Sequence, residues 1–516
     1  MELQVLAIAT SVLTLALAYV YRFITSKFNY FQKQGIDGPK PSFPFGTWKG
    51  AWKKNFGEND LNNVKMYGQT FGSFDGRTPN LIVSDPHLIQ KILVDEADKF
   101  HSNRAFRVKQ KTLHEVLRSI EGGGDVEVNK LLSEALNAAK VKKLFTRIAK
   151  TVDLFVEGFK KEAAPEKVIN VNEHVSRFIT DVLAFTLFSF DLAADNQIRT
   201  KFERAIGKMF TVQYPDSIFS VTPFVFESLG SLDNFILKPA YTRYLAGVAE
   251  LVIDEKKKTS DVKPEGRALD LVDLLLVAAE EEKQAAAKEK GVDSDKLDSE
   301  GILSKEQMIN VCMQVLLTVG GATKQTLAMS IYALANNTNV QDKLQAEVGK
   351  QLNRYGEINY EFINESEYLD MFLGEILRIY PTEYRLERKT FEEMKLDEIT
   401  LTPGTMVSIP IYAVHHLEEF YPEPEKFIPE RFSPSNSDKR NPHTYLPFGQ
   451  AGSNSSNIGV QLGVLIAKLA IVSLIKSVKL ATAENPQNEV SSPFVSGVTG
   501  VPQPKTIFVR ADKKEE

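Results

Sequence analysis

The chain has 516 residues, 43% hydrophobic and 25% charged, which describes a globular protein with a large core and excludes a disordered one. Its net charge of −5 gives no general attraction to nucleic acid, so no nucleic-acid partner is expected. The single cysteine, Cys312, excludes an intrachain disulfide framework and a cysteine metal cluster, and suits a domain that faces the cytosol.

Leu3 to Tyr21 carries no charged side chain, and Arg22 and Lys27 follow it. As a helix, these nineteen residues reach about 28 Å, close to the hydrocarbon thickness of a bilayer. The basic residues on the C-terminal side predict a membrane anchor with the main domain in the cytoplasm. A cleaved signal peptide is the rival reading, because Ala16-Leu17-Ala18 mimics a cleavage site, but the segment lacks a basic n-region. Gly35 to Gly46, GIDGPKPSFPFG, reads as a stiff, non-helical connector. Phe71 to Asp85 reads as two short strands around a turn, with a helix from about Pro86.

From about Glu127 to Lys350 helical periodicity dominates. Phe178, Val182, Phe185 and Phe188 fall on one apolar face, and Leu271, Leu274 and Leu275 on another. The charged run from about Lys256 to Lys305 reads as a solvated helix plus an exposed loop. Val490 to Arg510 is expected to return as strands, and the tail ADKKEE to fray.

Two spaced motifs sit in the C-terminal half. In YLDMFLGEILRIYP (Tyr368 to Pro381), Glu375 and Arg378 are three apart and share a helix face. Downstream, PEPEKFIPERF ends in Pro429-Glu430-Arg431-Phe432, and the segment RLERKTFEEMKLDEITLTPGTMVSIPIYAVHH lies between the two motifs. Further on, Phe448-Gly449 opens a loop that closes at Ile458-Gly459. In this order the motifs resemble the cytochrome P450 family, of microsomal animal type, from about Gly35 to Arg510. The resemblance implies a mainly α fold with small β-sheets, a single large domain behind an N-terminal transmembrane anchor. It divides the chain into an anchor (1–26), a proline-rich hinge (27–46), a P450-like domain (47–510) and a charged tail (511–516). It also implies that Glu375, Arg378 and Arg431 form a structural ion cluster, since buried charges persist only when paired.

The departures from the family pattern concern chemistry. The family's iron-ligand cysteine falls on Asn457 when aligned from the Ile-Gly end and on Ser455 from the Phe-Gly end, the loop being two residues longer than the family spacing. Neither supplies the electron push of a thiolate. The arginine two residues earlier becomes Ser455 or Ser453, and the tryptophan and arginine of an earlier helix become Asp125 and Asn129; Arg388 alone keeps a family propionate contact. The acid and threonine of the oxygen-activation helix fall on Gly321 and Ala322, or on Thr323 and Lys324 if the register shifts by two. Of the seven histidines, His443 lies nearest the loop but precedes Phe448, and His415 and His416 resemble a structural element.

These losses lead to the expectation of a non-catalytic binding or regulatory pseudoenzyme at the endoplasmic reticulum membrane. It would have no catalytic residue, no metal and no cofactor. Its partners would be the membrane, an apolar small molecule, and a reductase or other membrane proteins, for which Lys140, Lys142 and Lys143 offer a basic patch. The alternative is an active haem monooxygenase that acts on a small lipophilic substrate with an atypical iron ligand. The longer loop Gln450 to Asn457 is expected to fill part of the haem space and to leave an apolar cavity beside Leu316 to Thr326.

Overall fold

The computed structural model describes residues 2–47, 55–102, 138–164, 167–192, 196–210, 239–258, 269–290, 304–448, 458–483 and 505–514. Helix α1 (Glu2–Thr25) is apolar along its length, and its most apolar stretch is exposed. Only its C-terminal end is held. The Tyr21 and Phe43 rings lie 5.3 Å apart, the Arg77 guanidinium sits 3.7 Å from the centre of the Phe23 ring, and Ile24 is buried. The chain beyond α1 lies flat on a sheet. Phe31 packs on Phe74 at 5.5 Å, and a Cβ at Gly72 would stand 2.4 Å from the Phe31 ring, so only glycine allows this approach. The expected stiff connector is held against this sheet, the Gly72 amide donating to the Asp37 carbonyl at 2.8 Å and Gly46 bridging to Asp75.

That sheet has five strands in the order β1 (Thr70–Asp75), β2 (Thr78–Val83), β8 (Met406–Ile409), β5 (Leu386–Thr390), β3 (Phe100–Ser102). Only the β2–β8 pair is parallel. The predicted hairpin of β1 and β2 is present, with the expected short helix Pro86–Gln90 behind it, capped by Asp85. Strands β6 (Met394–Leu396) and β7 (Ile399–Leu401) form a small hairpin. A third sheet joins β4 (Ile169–Asn170), β10 (Phe508–Lys513) and β9 (Val478–Thr482), with β10 in the middle.

The larger part is helical. After α2 (Phe56–Tyr67) come α3 (Ala138–Glu162), α4 (Val171–Phe188), α5 (Asn196–Phe210), α6 (Pro239–Lys258) and α7 (Leu271–Lys290). The long α8 (Lys305–Asn336) follows, opened by a Ser304–Gln307 capping box. Next are α9 (Thr338–Tyr355), α10 (Glu367–Ile379), α11 (Ile411–His416) and α12 (Ile458–Ser477). Helix α8 runs through the core, packing on α4, α5, α6, α10 and most extensively on α12. Helix α12 is apolar enough to cross a membrane, but 78% of its most apolar stretch is buried, which makes it a core helix. Phe178, Val182, Phe188, Leu271, Leu274 and Leu275 all enter this core as their spacing predicts, whereas Phe185, expected on the same face, is only half-buried, with the Arg147 guanidinium 4.9 Å from the centre of its ring.

Two expectations fail here. Lys256 is not on a solvated face: it reaches 2.5 Å from Asp270 and 2.7 Å from Asp273, and Asp270 is wholly buried. The tail does not fray from Ala511, because β10 runs on to Lys513 and pairs with Val478. The expected strands of the Val490 to Arg510 stretch are present from Phe508, and 484–504 lies outside the described residues.

The predicted ion cluster forms. Glu375 and Arg378 are both fully buried and doubly hydrogen-bonded, each contact 2.8 Å. Arg378 also donates to the carbonyls of His415 (2.9 Å) and Pro424 (2.7 Å), and Glu375 accepts from the Ile428 amide at 2.9 Å. Arg431 completes the group, its Nε 3.4 Å from the Glu375 carboxylate. His415 Nε2 accepts from the Leu446 amide at 2.9 Å, so its Nδ1 carries the proton and donates to the Arg378 carbonyl at 3.1 Å. Burial first, then the neighbouring charges of His416 and Arg378, hold His415 well below its usual titration range. His416, stacked 4.0 Å from the Tyr412 ring, is pushed down to about 3, mainly by burial.

Removing the guanidinium strands a buried carboxylate. Arg378→Ala is therefore expected to lower unfolding free energy by about 3–5 kcal/mol in urea titration; an unchanged midpoint would place these charges in water. The buried histidines act on acid stability. The folded-state value of His416 lies below the unfolded value near 6.5, so its penalty is absent above that pH and grows as pH falls toward 3. The stability of the native chain relative to His416→Phe should thus decline by about 1.4 kcal/mol per pH unit below 6.5; a pH-independent difference would contradict this.

Candidate functional site

The middle of α8 has no carboxylate: Leu316 to Thr326 reads LLTVGGATKQT. It is tied to the turn after α10, where Gln325 Nε2 donates to the Pro381 carbonyl at 2.9 Å. The next residue of that turn, Thr382, donates to the Pro447 carbonyl at 3.3 Å and so ties the turn to the approach of Phe448. On the other side α12 comes close through Gly463. A Cβ there would stand 2.5 Å from Thr323 Oγ1, so a larger residue would force the two helices apart. Between these elements lies a cavity of about 50 Å³ with almost wholly apolar walls, among them Ala322, Thr326, Leu373, Leu377, Phe448 and Val460. It is the apolar cavity expected beside Leu316 to Thr326.

Arg388, on β5, makes a single hydrogen bond among the described residues, from Nη1 to the Glu387 carbonyl at 2.9 Å. Its remaining donors make no hydrogen bond among the described residues. Burial lowers its guanidinium, and the Glu383 carboxylate works against that fall. The Glu383 side chain is exposed between buried Thr382 and Tyr384, yet desolvation raises its carboxyl. Lys324, half-buried on α8, has its ammonium lowered by burial alone.

The structure brings Glu375, Arg378 and Arg431 together and places Arg388 with donors to spare. Asn457, Ser455 and Ser453, the loop Gln450 to Asn457 with its expected filling role, and Asp125 and Asn129 lie outside the described residues. Gly321 and Ala322 occupy the centre of α8, with Ala322 in the cavity wall. Cys312 is wholly buried in the helical core, its thiol pushed far up by burial, and is no ligand donor for this site. His415 and His416 are spent on structure, and His443 is half-buried on the turn before Tyr445. Among the described residues no cluster of His, Cys, Asp and Glu is arranged to hold a metal ion. Lys142 of the basic patch is paired with Glu361. Two features escaped sequence reasoning: Glu383, and the buried bidentate pair of Arg385 with Asp60 at 2.5 and 2.6 Å. The available signal was the acid of Pro381-Thr382-Glu383, on a turn leading straight to Arg388.

A family model described as Cytochrome P450 matches residues 36–508. The chain is 28% identical to Cytochrome P450 3A11 of Mus musculus over 510 residues, 96% of this chain and 95% of that protein. It is 29% identical to Cytochrome P450 3A28 of Bos taurus over 513 residues, 99% of this chain and 96% of that protein. A cytochrome match over nearly the whole globular part points to haem, and corrects the expectation that no cofactor is bound. That expectation rested on the missing thiolate, but an axial cysteine is only one of the contacts that hold a haem. The described residues fit such a group. The donors that Arg388 does not spend among the described residues suit a propionate, and the cavity walls between α8 and α12 are apolar, as the face of a porphyrin requires.

Proposed function

The chain belongs to the cytochrome P450 family, and from that premise we propose that it is a membrane-attached haem monooxygenase for a small lipophilic substrate, with an iron ligand other than cysteine. The observation that carries this reading is the Arg388 guanidinium, which spends one donor among the described residues, taken together with the almost wholly apolar cavity between α8, α10 and α12. Haem, when bound there, supplies a redox-active iron, and its electronics without a thiolate lack the push that favours O–O cleavage. Arg388 would hold a propionate carboxylate by charge-assisted hydrogen bonds. Ala322, Leu373, Leu377 and Phe448 would exclude water and receive apolar parts of the ligand.

The anchor (1–26), the connector (27–46) and the domain (47–510) belong to the same proposal. So does a single-pass position in the endoplasmic reticulum membrane with the domain in the cytoplasm. The uncharged stretch before Arg22 and Lys27 supports it, as does the bare apolar surface of α1. A membrane-bound reductase is the electron-donating partner this reading requires.

A second reading, ligand binding without oxidation, is favoured by one specific feature: Gly321 and Ala322 leave the centre of α8 without an acid or hydroxyl to move protons at that point. One experiment tests both. The full chain, produced with a haem precursor and placed in lipid nanodiscs, is assayed for haem content and for reductase-dependent product formation. Haem in stoichiometric amount, reduced in the Arg388→Ala variant, is the expected result. A haem-free preparation would overturn the main reading, and a reduced-CO band at the family's thiolate wavelength would overturn the atypical ligand. Loaded haem without product from a panel of lipophilic substrates would select the second reading.

A further inference from the structure

We infer that Arg77, at the tip of the β1–β2 hairpin, is a lipid contact: its guanidinium takes the phosphodiester of a phospholipid headgroup where α1 leaves the bilayer. The inference rests on the reading of α1 as a membrane anchor, and adds the lipid group that the globular domain itself receives.

The depth of Arg77 follows from what it touches. Its guanidinium lies 3.7 Å from the centre of the Phe23 ring, in the last turn of α1. The uncharged stretch ends at Tyr21, and at about 1.5 Å of rise per residue Phe23 stands only about 3 Å beyond it along the axis. On the anchor reading, that is where hydrocarbon gives way to headgroups. Tyr19, Tyr21 and Phe23 are exposed there, as is Phe43, which packs on Tyr21 at 5.3 Å; together they make an interfacial belt of aromatic rings.

The hairpin tip is fixed against this boundary. Gly76 and Arg77 form a two-residue turn closed by the Asp75–Thr78 pair. The segment that carries Phe43 is bonded to the same hairpin: the Gly76 amide donates to the Phe45 carbonyl at 3.4 Å, and the Thr47 amide to the Phe74 carbonyl at 2.9 Å. Phe23, Phe43 and Arg77 therefore form one rim.

The charge of Arg77 has no protein partner. Its Nε is shut off from solvent without an acceptor, and among the described residues the guanidinium makes no hydrogen bond or ion pair. Asp75, the acid nearest in sequence, is buried and accepts from Asn80 at 3.0 Å. Stacking on Phe23 uses the face of the guanidinium and leaves its edge, where the N–H groups point, for an acceptor. A phosphodiester offers two oxygens to such an edge in the geometry a guanidinium matches. Phospholipids bring that group to this depth, whereas lipids with sugar headgroups do not.

Cys312 is wholly buried and is the only cysteine, so a Thr78→Cys substitution supplies the one accessible thiol for a nitrobenzoxadiazole label. The labelled full chain is placed in nanodiscs of phosphatidylcholine or of digalactosyldiacylglycerol, each with the same small fraction of a headgroup nitroxide lipid as quencher. In phosphatidylcholine the label is expected to be strongly quenched, and Arg77→Gln to remove about half of that quenching. In the galactolipid Arg77→Gln should change nothing. Quenching that Arg77→Gln leaves intact in phosphatidylcholine, or lowers equally in both lipids, would overturn the inference alone. A full chain that fails to float with phosphatidylcholine vesicles after a carbonate wash would overturn it together with the anchor reading.

Discussion

The buried pair of Glu375 and Arg378 is the contact on which the rest of the C-terminal half depends. Neither side chain touches water, and each is satisfied by several partners from separate segments: the His415 and Pro424 carbonyls for the arginine, the Ile428 amide and Arg431 for the glutamate. A buried ion pair is stable only when such secondary bonds are complete, so this one fixes where four stretches of chain meet. Its reach extends further through His415, which accepts from the Leu446 amide two residues before Phe448. The same helix ends at the turn that carries Thr382 and Glu383. Both sides of the site are thus positioned by one charged cluster.

That arrangement separates the scaffold from the chemistry. The cluster, the α8–α12 contact at Gly463 and the sheet that carries Arg388 form a frame of contacts between protein elements. The residues that would set the reactivity of an iron centre lie elsewhere, at the loop between Phe448 and Ile458 and at the middle of α8. The loop contains no cysteine, and Leu316 to Thr326 contains no carboxylate. A frame of this kind can accept a different axial ligand without being rebuilt, because that ligand does not bear on the buried cluster.

Much of this was legible in the sequence because it depended on spacing. Glu375 and Arg378 three apart on a helix, the apolar faces of α4 and α7, the β1–β2 hairpin and the uncharged α1 each follow from a local period. Features set by distant partners were not legible. Lys256 sits in a run that reads as solvated, and only the folded chain shows Asp270 and Asp273 drawing it inward. Ala511 to Lys513 read as a frayed tail until Val478 to Leu480 supplied the missing backbone partners. The connector read as a linker because nothing local to it says that Gly72 leaves room for Phe31.

The central claim is that a cytochrome P450 frame here holds haem without a sulfur ligand. Iron K-edge X-ray absorption on the haem-loaded full chain addresses that ligand directly. A first shell of nitrogen and oxygen scatterers alone is the expected result. A sulfur scatterer at thiolate distance, or a chain that never takes up iron, would contradict it.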